Sequence, residues 1–227
     1  MKVDVLPDAD AVAKRAAEFI ADAAREAVAA RGKFAFAVSG GRTPWRMLSA
    51  LAALPMPWQE THLFQVDERV APHGDPDRNL THIGESLLAR VTLGAGNLHA
   101  MPVEAPDLAA GAARYALELE AVTGKPPMLD LIHLGLGPDG HTASLVPNDP
   151  VLGVTGAAVA LTAPYQGHPR MTLTFPVLDR ARSVLWVVTG AEKGPMLSRL
   201  IKGDPRIPAG QVNGERAVII ADAAAAD

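Results

Sequence analysis

Asp139-Gly140-His141-Thr142 sets an acid two residues from a base, immediately beyond an apolar run. Histidine is the side chain best suited to exchange a proton near neutral pH, and a positioned general base contributes roughly 10²–10⁴-fold in rate. Asp139, on the same tight turn, is spaced to orient the His141 ring or to fix its tautomer. Gly135, Gly137 and Gly140 also satisfy the G-x-G-x-x-G spacing of a dinucleotide-binding turn. Such a turn needs an acidic residue about 20 positions further on, to take the ribose. Residues 152–166 contain no Asp or Glu, so the stretch reads as the carrier of a catalytic histidine, and no cofactor is expected. No metal is expected either, because His62, His73, His82, His99, His133 and His168 form no ligand spacing with His141. A G-x-S-x-G nucleophile elbow is lacking, which leaves serine-hydrolase chemistry without support. Standing alone, His141 would more often be a structural loop histidine. Its company elsewhere in the chain tips the reading.

Three more apolar runs end in concentrated polar chemistry. Ser39-Gly40-Gly41-Arg42-Thr43-Pro44 reads as a phosphate loop, with glycines that admit an anion to the backbone, Thr43 as N-cap and Pro44 at the first helical position. It is not a Walker A loop, since no Gly-Lys-Ser/Thr follows. An ordinary capped turn accounts for the same residues equally well. Asp67-Glu68-Arg69 is either an exposed charged turn or a set of site acids with a cation. Thr189-Gly190-Ala191-Glu192-Lys193 closes the series, and Lys193 and Arg170 each offer a cation to a phosphate or oxyanion, or to solvent.

The elements that must hold these residues alternate along the chain. Strands are expected at 3–6, 34–38, 62–66, 129–134, 157–163, 171–175, 184–188 and 217–220, several without the polar alternation of a half-exposed strand. Helices are expected near 11–30, 45–53, 80–90, 108–122 and 193–201, with loops at 55–60 and 70–77 and a frayed alanine tail at 221–226. This alternation predicts an α/β fold with a doubly wound, mostly parallel open sheet, helices on both faces, in one domain over 1–227. In such sheets ligands bind beyond the carboxyl ends of the strands, where all four polar clusters fall. The formal net charge of −4 gives no general attraction to nucleic acid or anionic membrane, so an anion must be held by local geometry. The chain has no cysteine, which removes disulfides and thiolate chemistry and agrees with a cytoplasmic location. Neither a signal-like apolar segment nor a run of membrane-spanning length is present.

In order, "AVSGGRTP", "QVDERVAP" followed by "RNL", "LGLGPDGHTASLVP", "RMTLTFPVL" and "VTGAEK" closely resemble the 6-phosphogluconolactonases, within the superfamily shared with glucosamine-6-phosphate deaminase/isomerases. The motifs span about residues 34–193. The resemblance implies a Rossmann-like fold of the deaminase/isomerase type. It further implies a metal-free hydrolase of the oxidative pentose phosphate pathway that opens 6-phospho-D-glucono-1,5-lactone to 6-phosphogluconate. Ser39, Gly40, Gly41 and Thr43 match the phosphate-side loop, and Arg170 and Lys193 match basic positions near the phosphate or substrate oxygens. His141 matches the base that activates water, while Asp67 and Arg69 line the reacting end. On this reading Asp139, or else Asp67 or Glu68, orients the imidazole, and Arg69 is the candidate for the carbonyl oxyanion. The partner is a small sugar-phosphate lactone, with the oligomeric state open between monomer and weak dimer.

Two departures stand out. Arg78-Asn79 occupies a place where the family often has Ser-Asn, making Arg78 a candidate further substrate cation, and Val146 replaces a frequent aromatic. The deaminase/isomerase branch is the nearest alternative, but its relay needs a Glu five residues after the His, where this chain has Val146. A non-catalytic sugar-phosphate sensor is the other. The chain enters its first strand almost at once, without a segment for a DNA-binding helix-turn-helix, and it retains His141 and Asp139.

Overall fold

The computed structural model describes residues 1–226. Strand β1 (Lys2–Leu6) leads into α1 (Ala9–Arg31), where the Asp8 carboxylate accepts from the N–H groups of Asp10 and Ala11 at 3.0 and 2.8 Å. Those donors have no partner inside the first turn, which is why an acid starts the helix well. Next come β2 (Phe34–Val38), α2 (Arg42–Leu51), β3 (Thr61–Gln65), β4 (Asp67–Arg69) and α3 (Asn79–Ile83), which runs on as a π-helical turn over Gly84–Leu88. The chain continues through β5 (Leu98–His99), α4 (Leu108–Thr123), β6 (Leu131–Leu134), β7 (Val159–Leu161) and β8 (Arg170–Leu173). Last are α5 (Phe175–Arg180), β9 (Val184–Val188), α6 (Gly194–Ile201), α7 (Pro208–Gln211), β10 (Ala217–Asp222) and α8 (Ala223–Ala226).

Seven strands pair in parallel in the order β1-β10-β9-β6-β2-β3-β5. Both faces of this sheet are covered. On one, α1 and α2 bury Val12, Ile20, Met47 and Leu48 against Phe34, Phe36, Leu131 and Leu185. On the other, α4, α5 and α6 set Tyr115, Leu178 and Leu200 among Phe64, Ile132, Trp186 and Ile219. Two apolar cores explain why β2, β6 and β9 are buried at every position, with His133 the one polar side chain among them. This is the doubly wound sheet expected from the sequence.

A second sheet, β4-β8-β7, is antiparallel and was not anticipated. The chain changes sheets at Val66, whose N–H donates to the Val38 carbonyl at 3.0 Å while its own carbonyl accepts from Leu173 at 2.8 Å. The triplet Asp67-Glu68-Arg69, read as a turn or site loop, is therefore a short strand. Its charges hide the strand signal, and β5, two residues long, carries no signal to read. The expected helix at 80–90 is divided between α3 and its π-helical turn. Residues 221–226 do not fray. Ala221 pairs with Val5, the Asp222 carboxylate accepts from the Ala225 N–H at 2.9 Å, and Ala225 is buried.

Candidate active site

The chain steps from β2 to β3 in one direction across the parallel sheet and from β6 to β9 in the other. The loops leaving β2 and β6 therefore diverge and open a crevice between them, the usual ligand position in such a sheet. Ser39, Gly40, Gly41, Asp67, Arg69, His141, Arg170 and Lys193 all line one cleft of about 210 Å³ in this crevice. An adjoining cleft of about 500 Å³ shares Gly40, Gly41 and Lys193 with it and adds Arg42, Thr43 and Thr189. Arg69, Arg170 and Lys193 outnumber Asp67 in the smaller cleft.

The loop after β2 is anchored from below. The Ser39 N–H donates to Nδ1 of His133 at 3.4 Å and its hydroxyl to the His133 carbonyl at 3.2 Å. Burial pushes His133 down to about 3, so the ring is a neutral acceptor. A side chain at Gly40 would overlap the Asn79 carboxamide, so only glycine allows the loop to lie this close to α3. Thr43 is not the N-cap expected from the sequence. Gly41, at φ 125°, starts the helix two residues earlier, and Thr43 points its hydroxyl to within 2.7 Å of Thr189 Oγ1. Pro44 falls at the third helical position. Arg42, Thr43 and Pro44 of the first turn still line the larger cleft, at the positive end of the helix dipole.

The loop after β6 carries Asp139 and His141. Asp139 Oδ1 lies 2.5 Å from His141 Nδ1 and also accepts from the His141 N–H at 3.1 Å, while Oδ2 accepts from the Tyr165 hydroxyl at 3.1 Å. Burial works to raise the Asp139 pKa, but the electrostatic pull of the adjacent imidazole and hydrogen bonds from His141 and Tyr165 outweigh it and hold the carboxyl below its ordinary value. A Cβ at Gly137 would overlap the His141 ring. That fingerprint glycine therefore makes room for an imidazole.

Arg69 and Arg170 sit directly opposite each other across the β4–β8 ladder. Like charges so placed repel, and burial adds a desolvation cost. Both Nε atoms are buried without a partner, and burial together with Arg69 lowers the Arg170 pKa. An anion between them relieves both costs. Lys193 reaches the same cleft from the turn after β9, whose Gly190 N–H is held by Asp222 at 3.0 Å.

Other expectations do not survive. Arg78 is buried, 3.2 Å from Glu68, with a hydrogen bond to the Ala71 carbonyl, and lies outside both clefts. Glu68 is wholly buried and accepts from the N–H groups of Arg69, Asn79 and Leu80 and from Gln65, so it caps α3 and does not orient His141. Asp67 is engaged by the Ser144 hydroxyl at 2.6 Å. Sequence reasoning missed Ser144, Asn79, His133 and Tyr165. Only Tyr165 had a local signal, the two-residue turn Gln166-Gly167 between strands, which predicts a hairpin but not its contact. Among the described residues no three His, Asp or Glu side chains converge as a metal-ligand set, and no helix is long and apolar enough to cross a membrane.

The 6-phosphogluconolactonase of Nostoc sp. is 37% identical to this chain over 202 residues, 87% of this chain and 84% of the relative. That of Synechocystis sp. is 38% identical over 211 residues, covering 90% and 88%. The crystal structure of a 6-phosphogluconolactonase from Thermotoga maritima superposes with a TM-score of 0.87 at 30% identity, over 97% of this chain and 98% of that one. A monomeric glucosamine-6-phosphate deaminase also superposes at 0.87, but at 17% identity, which is a likeness of fold alone. Residues 7–220 match the family of glucosamine-6-phosphate isomerases/6-phosphogluconolactonase, and the chain belongs to that family.

Proposed function

We propose that this chain hydrolyses 6-phospho-D-glucono-1,5-lactone to 6-phospho-D-gluconate, with His141 as general base and no covalent intermediate. The observation that carries the proposal is an imidazole held by a carboxylate in one cleft with three cations. Nδ1–H donates to Asp139, which leaves Nε2 to take a proton from water as the water oxygen attacks the lactone carbonyl. Negative charge collects on the former carbonyl oxygen. As the adduct collapses, the bond from C1 to the ring oxygen breaks, and Nε2–H returns the proton to that oxygen. Asp139 stabilises the imidazolium between the two transfers.

Ser39, Gly40, Gly41, Thr43, Arg170 and Lys193 form the phosphate end. Sequence alone pointed Arg69 at the carbonyl oxygen, but its pairing with Arg170 favours a shared role on the phosphate dianion, where two guanidinium groups give directed, charge-assisted bonds. Asp67, fixed by Ser144, lines the reacting end. We expect a monomer or weak dimer acting in a cytoplasmic setting.

The test follows the decay of lactone generated in situ for wild type, His141→Ala and an enzyme-free blank. Strong acceleration, lost in the variant, is expected. Wild-type decay at the blank rate would sink the proposal and leave a sugar-phosphate sensor. Deamination of glucosamine 6-phosphate is disfavoured by Val146, apolar and buried where a carboxylate is required.

A further inference from the structure

The hairpin between β7 and β8 ends in Tyr165-Gln166-Gly167-His168. Tyr165 and His168 pair at its tip, and Gln166 and Gly167 take φ 51° and 88°. A two-residue turn with both central residues at positive φ matches the twist of a hairpin and fixes where the flanking side chains point. The Nε2 of His168 lies 3.0 Å from Asp77 Oδ2, tying the tip to the segment whose Asp77 carbonyl accepts from Arg69 at 2.6 Å. Tyr165 thus stands on a braced support.

From there it touches both ends of the cleft. Its hydroxyl donates to Asp139 Oδ2, the oxygen that His141 does not use, and its ring meets the His141 ring edge-on at 5.4 Å. Its face carries the Arg170 guanidinium 5.0 Å from the ring centroid, and its carbonyl accepts from Arg170 Nη2 at 3.3 Å. Burial and the adjacent Asp139 push the phenol pKa up, so the hydroxyl remains a donor.

Building on the lactonase reading, we infer that Tyr165 is a positioning residue that couples phosphate capture at Arg170 to the alignment of the Asp139–His141 pair. Asp139 has one oxygen for the imidazole, and without a partner on the other it can rotate away and release the ring. Tyr165 supplies that partner. An anion bound at Arg170 steadies the guanidinium against the phenol ring, and through the ring the hydroxyl that fixes Asp139. The phosphate then contributes to turnover as well as to binding.

Tyr165→Phe keeps the ring and the contacts with Arg170 but removes the hydroxyl. Its kcat on the phosphorylated lactone should fall about tenfold, as expected for loss of a hydrogen bond to a charged group, with KM changed less than about twofold. Tyr165→Leu removes the ring as well, and its KM should also rise. The coupling is read with unphosphorylated glucono-1,5-lactone and free phosphite dianion as separate pieces. Phosphite should accelerate wild-type turnover of that lactone several-fold over the blank and should leave Tyr165→Phe nearly unchanged. A purely structural tyrosine would lower stability without touching phosphite activation. Wild-type kcat in Tyr165→Phe, absence of phosphite activation in wild type, or equal activation in both proteins would each overturn the inference. Wild type inactive on the phosphorylated lactone would instead sink the lactonase reading, and this inference with it.

Discussion

The His141 imidazole has one nitrogen to spare. Nδ1 is committed to Asp139, so the general-base role proposed for His141 would fall to Nε2, and the tautomer that leaves Nε2 unprotonated is the one Asp139 favours. His141→Ala should lower kcat by roughly 10²–10⁴-fold, measured against the spontaneous decay of the lactone. Asp139→Asn retains the shape, but its carboxamide can accept from a protonated Nδ1 or donate to a bare one and so fixes neither tautomer, and a loss of about 10²-fold or more is expected in kcat with little change in KM. The cations should behave oppositely. Arg170→Ala, which on the proposed reading removes charge-assisted bonds to a phosphate remote from the reacting carbon, should raise KM about 10–100-fold while kcat falls less. Arg69→Ala should follow Arg170→Ala if the facing pair grips one phosphate. A drop in kcat at unchanged KM would return Arg69 to the carbonyl oxygen.

At the scale of elements, the site depends on how closely two loops can approach each other and their surroundings. Gly137→Ala puts a methyl group into the space of the His141 ring, and a displacement of about 1 Å at a reacting group can cost 10²-fold. We expect the variant to fold, with the substituted loop shifted, and to show that loss in kcat. Near wild-type turnover would mean that the ring adjusts at little cost. The elements differ in how plainly their residues announce them. Strands β2, β6 and β9 are buried on both faces, and that burial demands the largely apolar runs, interrupted only by His133, that made them and their polar exits legible. Strand β4 was hidden because its acids are spent on distant partners. Glu68 caps α3, and Asp67 meets Ser144 from 77 residues away. The start of α2 was misplaced because Thr43 has the chemistry of an N-cap, whereas the backbone of Gly41 turns the chain first. Tyr165 reaches Asp139 across 26 residues, a contact made only by the register of β7 on β8. What the local sequence decides was readable, and what pairing across the second sheet decides was not.

Across the whole molecule, a chain of net charge −4 concentrates cations in one cleft and hides histidines in its interior. The second feature sets how the fold responds to acid. Burial holds His133 at about 3, and burial with the adjacent His62 holds His99 at about 4, both below the ordinary histidine value of 6.5. In the unfolded chain these rings take up protons as the pH falls through about 6.5, while in the native protein they stay neutral. The unfolded state therefore binds more protons in that window, and stability must rise with pH across it. The contribution is complete above about 6.5 and is lost as the pH falls towards 4 and then 3, at roughly 1 kcal/mol per pH unit for a ring as fully buried as His133. Urea midpoints measured from pH 7 to pH 4 should fall accordingly. His133→Asn keeps an acceptor near Nδ1 for the Ser39 N–H but cannot titrate, so its stability should fall less steeply over the same range, by roughly 1 kcal/mol per unit. Parallel stability curves for the two proteins would show that His133 is not among the groups that make the fold acid-sensitive.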